Sequence, residues 1–188
     1  MGQAKTLTQA EIDQILRHFA TRKNAISDRV LFLTSLWSGM RAGEIAQLTI
    51  GQVINQDGTV KAEIKLRAEQ TKGRHARTVF LPQKLRDELA YYLKFRAVGN
   101  PNIPLFFTAK RAGFSPNTLV QHFFWLYREA GISGASSHSG RRNFITTLAN
   151  KGISVRVLAS LAGHQSIAVT QKYIDVNDDM KRNAVELL

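Results

Sequence analysis

Apolar residues recur at helical intervals over most of the chain and alternate in one short stretch. Ile12, Ile15, Leu16 and Phe19 follow Thr8 and Glu11, whose spacing is that of a capping box, so a helix is predicted to begin there. Residues 27–37 are apolar almost all round (Val30, Leu31, Phe32, Leu33, Leu36, Trp37), the pattern of a central buried helix, with Gly39 as its stop. A short helix over residues 42–47 puts Met40-Arg41 at a corner between helices. Residues 59–81 change period. Val60, Ala62, Ile64 and Leu66 alternate with Lys61, Glu63, Lys65 and Arg67. In a second stretch, Arg77, Val79 and Leu81 alternate with Ala76, Thr78 and Phe80. The polar segment Thr71-Lys72-Gly73-Arg74-His75 joins the two as a hairpin, and Asn55-Gln56-Asp57-Gly58 marks the turn entering it.

Past Pro82 the helical period returns. Leu85, Leu89, Tyr92 and Leu93 predict a helix ending near residue 98, and Ser115-Pro116 opens another through Phe123, Leu126 and Tyr127 to Gly131. Leu105-Phe106-Phe107 reads as a short strand. Further helices are predicted over residues 139–151, 154–162, 166–174 and 178–188, the last with an apolar face of Met180, Ala184, Val185 and Leu188. Phe106, Phe107, Phe123, Phe124 and Trp125 are expected in the core. The fold class expected is mainly α with a small antiparallel β-sheet, in one domain without internal repeats.

Composition narrows the function. With 44% hydrophobic residues, the 188-residue chain can bury a core, and the absence of Cys excludes a disulfide scaffold, cysteine-ligated zinc and thiol catalysis. The longest apolar run, residues 30–37, falls short of the ~20 residues a membrane helix needs. The N-terminus lacks an apolar signal segment. A soluble, cytoplasmic protein with no membrane partner is therefore expected. The net charge is +12, distributed as +2 over residues 1–50, +7 over 51–137 and +3 over 138–188. Such a basic, folded chain points to a polyanionic partner, because neutralising phosphates releases condensed counterions.

Transfer of a phosphodiester without a metal needs a nucleophile, cations on the non-bridging oxygens and a proton donor for the departing oxygen. His138-Ser139-Gly140-Arg141 puts His and Arg three apart at a predicted helix start, where they share a face and the helix N-terminus favours an anion. Leu161-Ala162-Gly163-His164 follows, then Tyr173 nine residues later. Upstream stands Gly39-Met40-Arg41-Ala42-Gly43-Glu44. The ordered set, with Lys72 on the hairpin turn, resembles the catalytic domain of the tyrosine recombinases, the phage integrase family, over residues 7–180.

The resemblance implies a recombinase catalytic-domain fold and a site-specific recombinase that cleaves and rejoins DNA without metal or other cofactor. Arg41 and Arg141 would hold the scissile phosphate, and His138 and His164 would hydrogen-bond to it or aid proton transfer. Lys72 would protonate the leaving 5′ oxygen, and Tyr173 would attack phosphorus, giving a 3′-phosphotyrosyl link and a free 5′-hydroxyl. Glu44 would buttress an arginine. Arg67, Arg74 and Arg77 are expected to position DNA phosphates, although a solvated basic face would also account for them. The implied partners are double-stranded DNA, three further copies in a tetramer on DNA, and accessory DNA-bending or directionality proteins. A bacterial or phage-encoded, nucleoid-associated protein is implied. Residues 1–188 would form a single catalytic domain, without the N-terminal helical domain of family members. A topoisomerase-like nicking and closing enzyme of type IB, or a catalytically silent DNA-binding accessory protein, are the alternatives. Two local departures from the family pattern, Ser139-Gly140 and Ala162, imply altered packing beneath the motifs.

Overall fold

Thr8 opens the first helix: its hydroxyl accepts from the Glu11 amide at 3.2 Å, and a Glu11 carboxylate oxygen accepts from the Thr8 amide at 3.0 Å. That helix, α1 (Gln9–Ala20), buries Ile12, Ile15 and Phe19. The computed structural model describes residues 4–96, 99–108, 110, 113–174 and 178–186. The all-round apolar segment forms α2 (Ala25–Ser38) and ends at Gly39 in the left-handed conformation. A β-carbon at Gly39 would also meet the Phe144 ring at 2.6 Å, so both backbone and space require glycine there.

After this corner come α3 (Ala42–Ala46), α4 (Ile50–Val53), β1 (Glu63–Leu66), a 3₁₀ turn (Ala68–Gln70), β2 (Arg77–Phe80) and α5 (Gln83–Leu93). The second half is helical: α6 (Pro116–Glu129), α7 (Ser139–Asn150), α8 (Val155–Ala162), α9 (Ile167–Gln171) and α10 (Asp178–Val185). The central α2 packs on α1, α5 and α7, while α6 covers α3 and α1. Phe19 meets Phe32 edge-on at 5.7 Å and Phe32 meets Tyr127 at 6.2 Å, an aromatic column through α1, α2 and α6. Asp28, buried in α2, is held by Arg22 at 2.8 Å and His122 at 2.9 Å, which supplies the partners that a buried carboxylate requires.

The two strands pair antiparallel with Ile64 opposite Val79 and Leu66 opposite Arg77. Arg77 therefore lies on the inward side of the hairpin with Val79, and β2 rests against α8. Helix α7 crosses α2 so closely that a β-carbon on Gly140 would sit 2.3 Å from the Ser35 hydroxyl and 2.8 Å from its backbone carbon. This approach carries the first turn of α7 to the corner after α2.

Several expectations are corrected. Phe124 and Trp125 are not core residues; they are 51% and 50% exposed, because the buried stripe of α6 runs through Leu119, Phe123, Leu126 and Tyr127. Residues 105–107 form no strand, only isolated bridges such as Phe107 with Gly113. Helix α5 ends at Leu93, short of residue 98, which lies outside the described residues. Helix α9 ends at Gln171, so Tyr173 follows it in a turn. Of the apolar face expected in α10, Val185 is exposed, while the side chain of Met180 and all of Leu188 lie outside the described residues.

Candidate active site

The corner between α2 and α3 places Arg41 as the N-cap of α3, with an extended backbone. The buried Glu44 accepts from the Arg41 amide at 2.8 Å and from its Nη1 at 3.0 Å. From β2, Arg77 Nη2 donates to the same carboxylate at 2.8 Å. Burial alone would raise the Glu44 carboxyl. The Arg77 guanidinium, the Arg41 amide and the Arg41 charge together hold it below the usual carboxylate range.

Arg141 extends from the first turn of α7 into the interior, where it is 3% exposed. Its Nη1 donates to Gly39 O and its Nη2 to Ala162 O, each at 2.6 Å. Burial, then the like charge of Arg41, lowers its pKa to about 9, so it stays charged at neutral pH. The two flanking carbonyls are taken by the other arginines: Arg77 Nη1 donates to Leu161 O at 2.9 Å, and Arg41 Nη2 to Gly163 O at 3.3 Å.

His164 follows directly. Its Nδ1 shares a 2.8 Å hydrogen bond with the buried Thr170 hydroxyl, which leaves Nε2 as the nitrogen that Thr170 does not engage. Burial first, then Arg141, Arg41 and Arg77, push its pKa down to about 4. Its ring stacks on that of Tyr173 with centroids 5.8 Å apart. Tyr173 is fixed from two sides: its amide donates to Thr170 O at 2.9 Å, and Thr146 donates to its carbonyl at 3.2 Å. The Arg142 guanidinium lies 5.6 Å from the phenol ring centre.

His138 precedes α7 at the rim. Desolvation, then the charges of Arg141, Arg41 and Lys72, holds its imidazole below the usual histidine range. Lys72 sits on the loop between the strands, and the Thr71 hydroxyl closes that loop by donating to His75 O at 2.9 Å and accepting from His75 N at 3.1 Å. Arg74 takes a left-handed backbone, φ 52°, at the loop tip. A cleft of about 860 Å³ opens between this loop and the α8–α9 turn, lined by Arg41, Lys72, His75, Arg77 and His164.

The fold thus draws Arg41, Lys72, His138, Arg141, His164 and Tyr173 from distant stretches into one neighbourhood. Arg67 and Arg74 are exposed on the hairpin. Arg77 differs from them: its side chain is 10% exposed and both amino nitrogens are occupied. Sequence reasoning missed Thr170, Thr146 and Arg142. The adjacency of Arg142 to Arg141 was the one available signal, since hydroxyl partners carry no periodicity. No group of three His, Asp or Glu side chains able to hold a metal occurs among the described residues. Nor is any helix there long and apolar enough to cross a membrane.

A model of the phage integrase family matches residues 5–180. The tyrosine recombinase XerA of Pyrococcus furiosus is 30% identical over 185 residues, which cover 97% of this chain and 61% of that protein. The chain therefore spans about three fifths of the length of that curated relative. Among solved structures, the XerA recombinase superposes with a TM-score of 0.77 at 22% identity, over all of this chain and 66% of the other. The Tn1549 transposon integrase in complex with a circular intermediate DNA superposes with a TM-score of 0.76 at 19% identity, over all of this chain and 67% of that one.

Proposed function

The chain belongs to the phage integrase family, and from that premise we propose that it performs the strand cutting and rejoining of a site-specific DNA recombinase. The observation that carries this reading is the convergence of cations about one phenol: Arg41, Arg141 and Lys72 beside two depressed imidazoles, with Tyr173 stacked on His164. Such a site fits a phosphodiester: Arg41 reaches the cleft, Arg141 adds a buried positive charge close to it, and both oppose the negative charge that increases during displacement.

In this reading the Tyr173 oxygen forms a bond to phosphorus as the bond to the 5′ oxygen breaks. The phenol proton leaves toward an imidazole or water, and Lys72 gives a proton to the departing oxygen. The phosphotyrosyl ester keeps the energy of the broken bond, so a second 5′-hydroxyl reverses the step without a nucleotide. Arg67 and Arg74 position the duplex backbone. Double-stranded DNA is the partner, as in the Tn1549 integrase complex. A tetramer on two duplexes, with accessory DNA-bending proteins, completes the proposal.

Incubation with a nicked suicide duplex carrying the target site tests this. A protein–DNA adduct that survives denaturation is expected, insensitive to EDTA and absent from Tyr173→Phe. An adduct that persists in Tyr173→Phe overturns the nucleophile, and strict dependence on a metal overturns the mechanism.

A further inference from the structure

We infer that Arg77 is a positioning residue for strand cleavage: it fixes Arg41 through the shared Glu44 carboxylate and fixes the His164 turn through the Leu161 carbonyl. The inference rests on the recombinase reading and adds a residue that lies outside the recognised motif blocks.

Three consecutive carbonyls at the end of α8, those of Leu161, Ala162 and Gly163, accept from Arg77, Arg141 and Arg41 respectively. They belong to the last turn of a helix, where carbonyls lack intrahelical partners and the helix dipole is negative. Three guanidiniums held this close repel one another. The end of α8 and the Glu44 carboxylate supply the opposing charge, so the cluster is assembled before any phosphate arrives.

The three arginines are not equivalent. Arg41 is 27% exposed and makes the longest of the three carbonyl bonds, so an incoming phosphate can draw it forward. Arg77 is 10% exposed and its amino groups are occupied. Its stem passes under Gly163, where a β-carbon would stand 2.5 Å from Arg77 Cδ. Arg77 thus lines the floor of the cleft with both amino nitrogens committed to protein partners. It ties the hairpin that carries Lys72 to the turn that carries His164.

The charged groups facing Glu44 are Arg41 and Arg77, with Arg141 contributing at longer range. Without Arg77, the carboxylate keeps Arg41 as its one paired cation and competes with the phosphate for it. Its pKa also rises, because burial is then opposed by fewer partners.

The test is single-turnover cleavage of the suicide duplex at saturating DNA, with thermal unfolding and DNA binding measured alongside. Arg77→Ala is expected to bind DNA within about threefold of wild type while cleaving about tenfold or more slowly. Its rate is expected to fall off at a higher pH on the acid side than that of wild type, as Glu44 takes up its proton sooner. Arg77→Lys returns the acid limb toward wild type, because an ammonium still faces Glu44. If Arg77→Ala does not fold, Arg77→Gln is judged by the same readouts. An unchanged rate and pH profile overturns the inference, as does a rate loss matched by an equal loss of binding. Absence of adduct from wild type overturns the recombinase reading, and this inference with it. A wild-type adduct with an unaltered Arg77 variant overturns this inference alone.

Discussion

The imidazole of His164 lies stacked on the phenol of Tyr173, their planes 20° apart, and Arg141, Arg41 and Arg77 stand close enough to disfavour its protonation. Because His164 has a pKa of about 4 in the fold and roughly 6.5 when unfolded, the unfolded chain binds more protons between those values. Stability from this group is complete above about pH 7 and is lost as the pH falls toward 4. After allowance for solvent screening the loss is about 1–2 kcal/mol. Melting temperatures of wild type and His164→Gln at pH 7.5 and 4.5 check this: the variant is expected to lose less on acidification, and parallel losses refute it.

Arg141 and Arg41 share a proposed role but differ in what their removal exposes. Arg141→Ala leaves the Gly39 and Ala162 carbonyls without their donors in a buried space, at a cost of about 2–4 kcal/mol. Arg41 is partly open to solvent, and Glu44 keeps Arg77 when it is lost, so Arg41→Ala costs about 1 kcal/mol. Both abolish cleavage and leave most non-specific DNA binding, since many other cations remain. Urea denaturation distinguishes the two stabilities, and filter binding over a salt series follows the DNA.

Gly140→Ala tests the crossing of α7 over α2. The added methyl meets both the hydroxyl and the backbone of Ser35, so rotamer change alone cannot relieve the overlap. Helix α7 must shift outward and take Arg141 with it, at about 2–3 kcal/mol. Chemical denaturation is expected to show this loss, and the double substitution Gly140→Ala with Ser35→Gly to recover only part of it.

How far the sequence could be read depends on which signal each element carries. Helices α1, α2 and α6 were legible because apolar period, cap and stop agree, as at Thr8, Gly39 and Ser115. The four-residue α4 was not, since it is too short to show a period. Phe124 and Trp125 were assigned to the core on residue type, yet the stripe through Leu119, Phe123 and Tyr127 already turns them outward. The same parity argument applies to Arg77, which alternates in phase with Val79 and Leu81. Period places a residue on a face of its own element, but it is silent on contacts across the chain. Hence the three carbonyls of α8 gripped by three arginines emerge only from the fold.

Arg67 and Arg74 differ from Arg77 in a way that DNA binding reports. Each lies exposed on the hairpin, so removing either is expected to lower the slope of log affinity against log salt by about 1. Arg77→Ala is expected to leave that slope unchanged. Equal slopes for all three variants contradict this division.

Lys72 is assigned proton donation to the leaving oxygen, and the chemistry of the leaving group isolates that role. A thiol ionises near pH 8.5, as in Cys, so a 5′ sulfur in place of the bridging oxygen departs without being protonated. Lys72→Ala is expected to slow cleavage of the ordinary duplex about 100-fold and to cleave the sulfur-substituted duplex at close to the wild-type rate. Thr71→Val removes the hydroxyl that closes the loop on His75, so the loop carrying Lys72 loosens while the ammonium keeps its charge. Its slowing is expected to be smaller, about tenfold, and likewise relieved by sulfur. Arg41→Ala, which weakens the grip on the non-bridging oxygens, gains nothing from the same substitution. If sulfur fails to rescue Lys72→Ala, proton donation by Lys72 is refuted, and its ammonium serves instead as a further phosphate clamp.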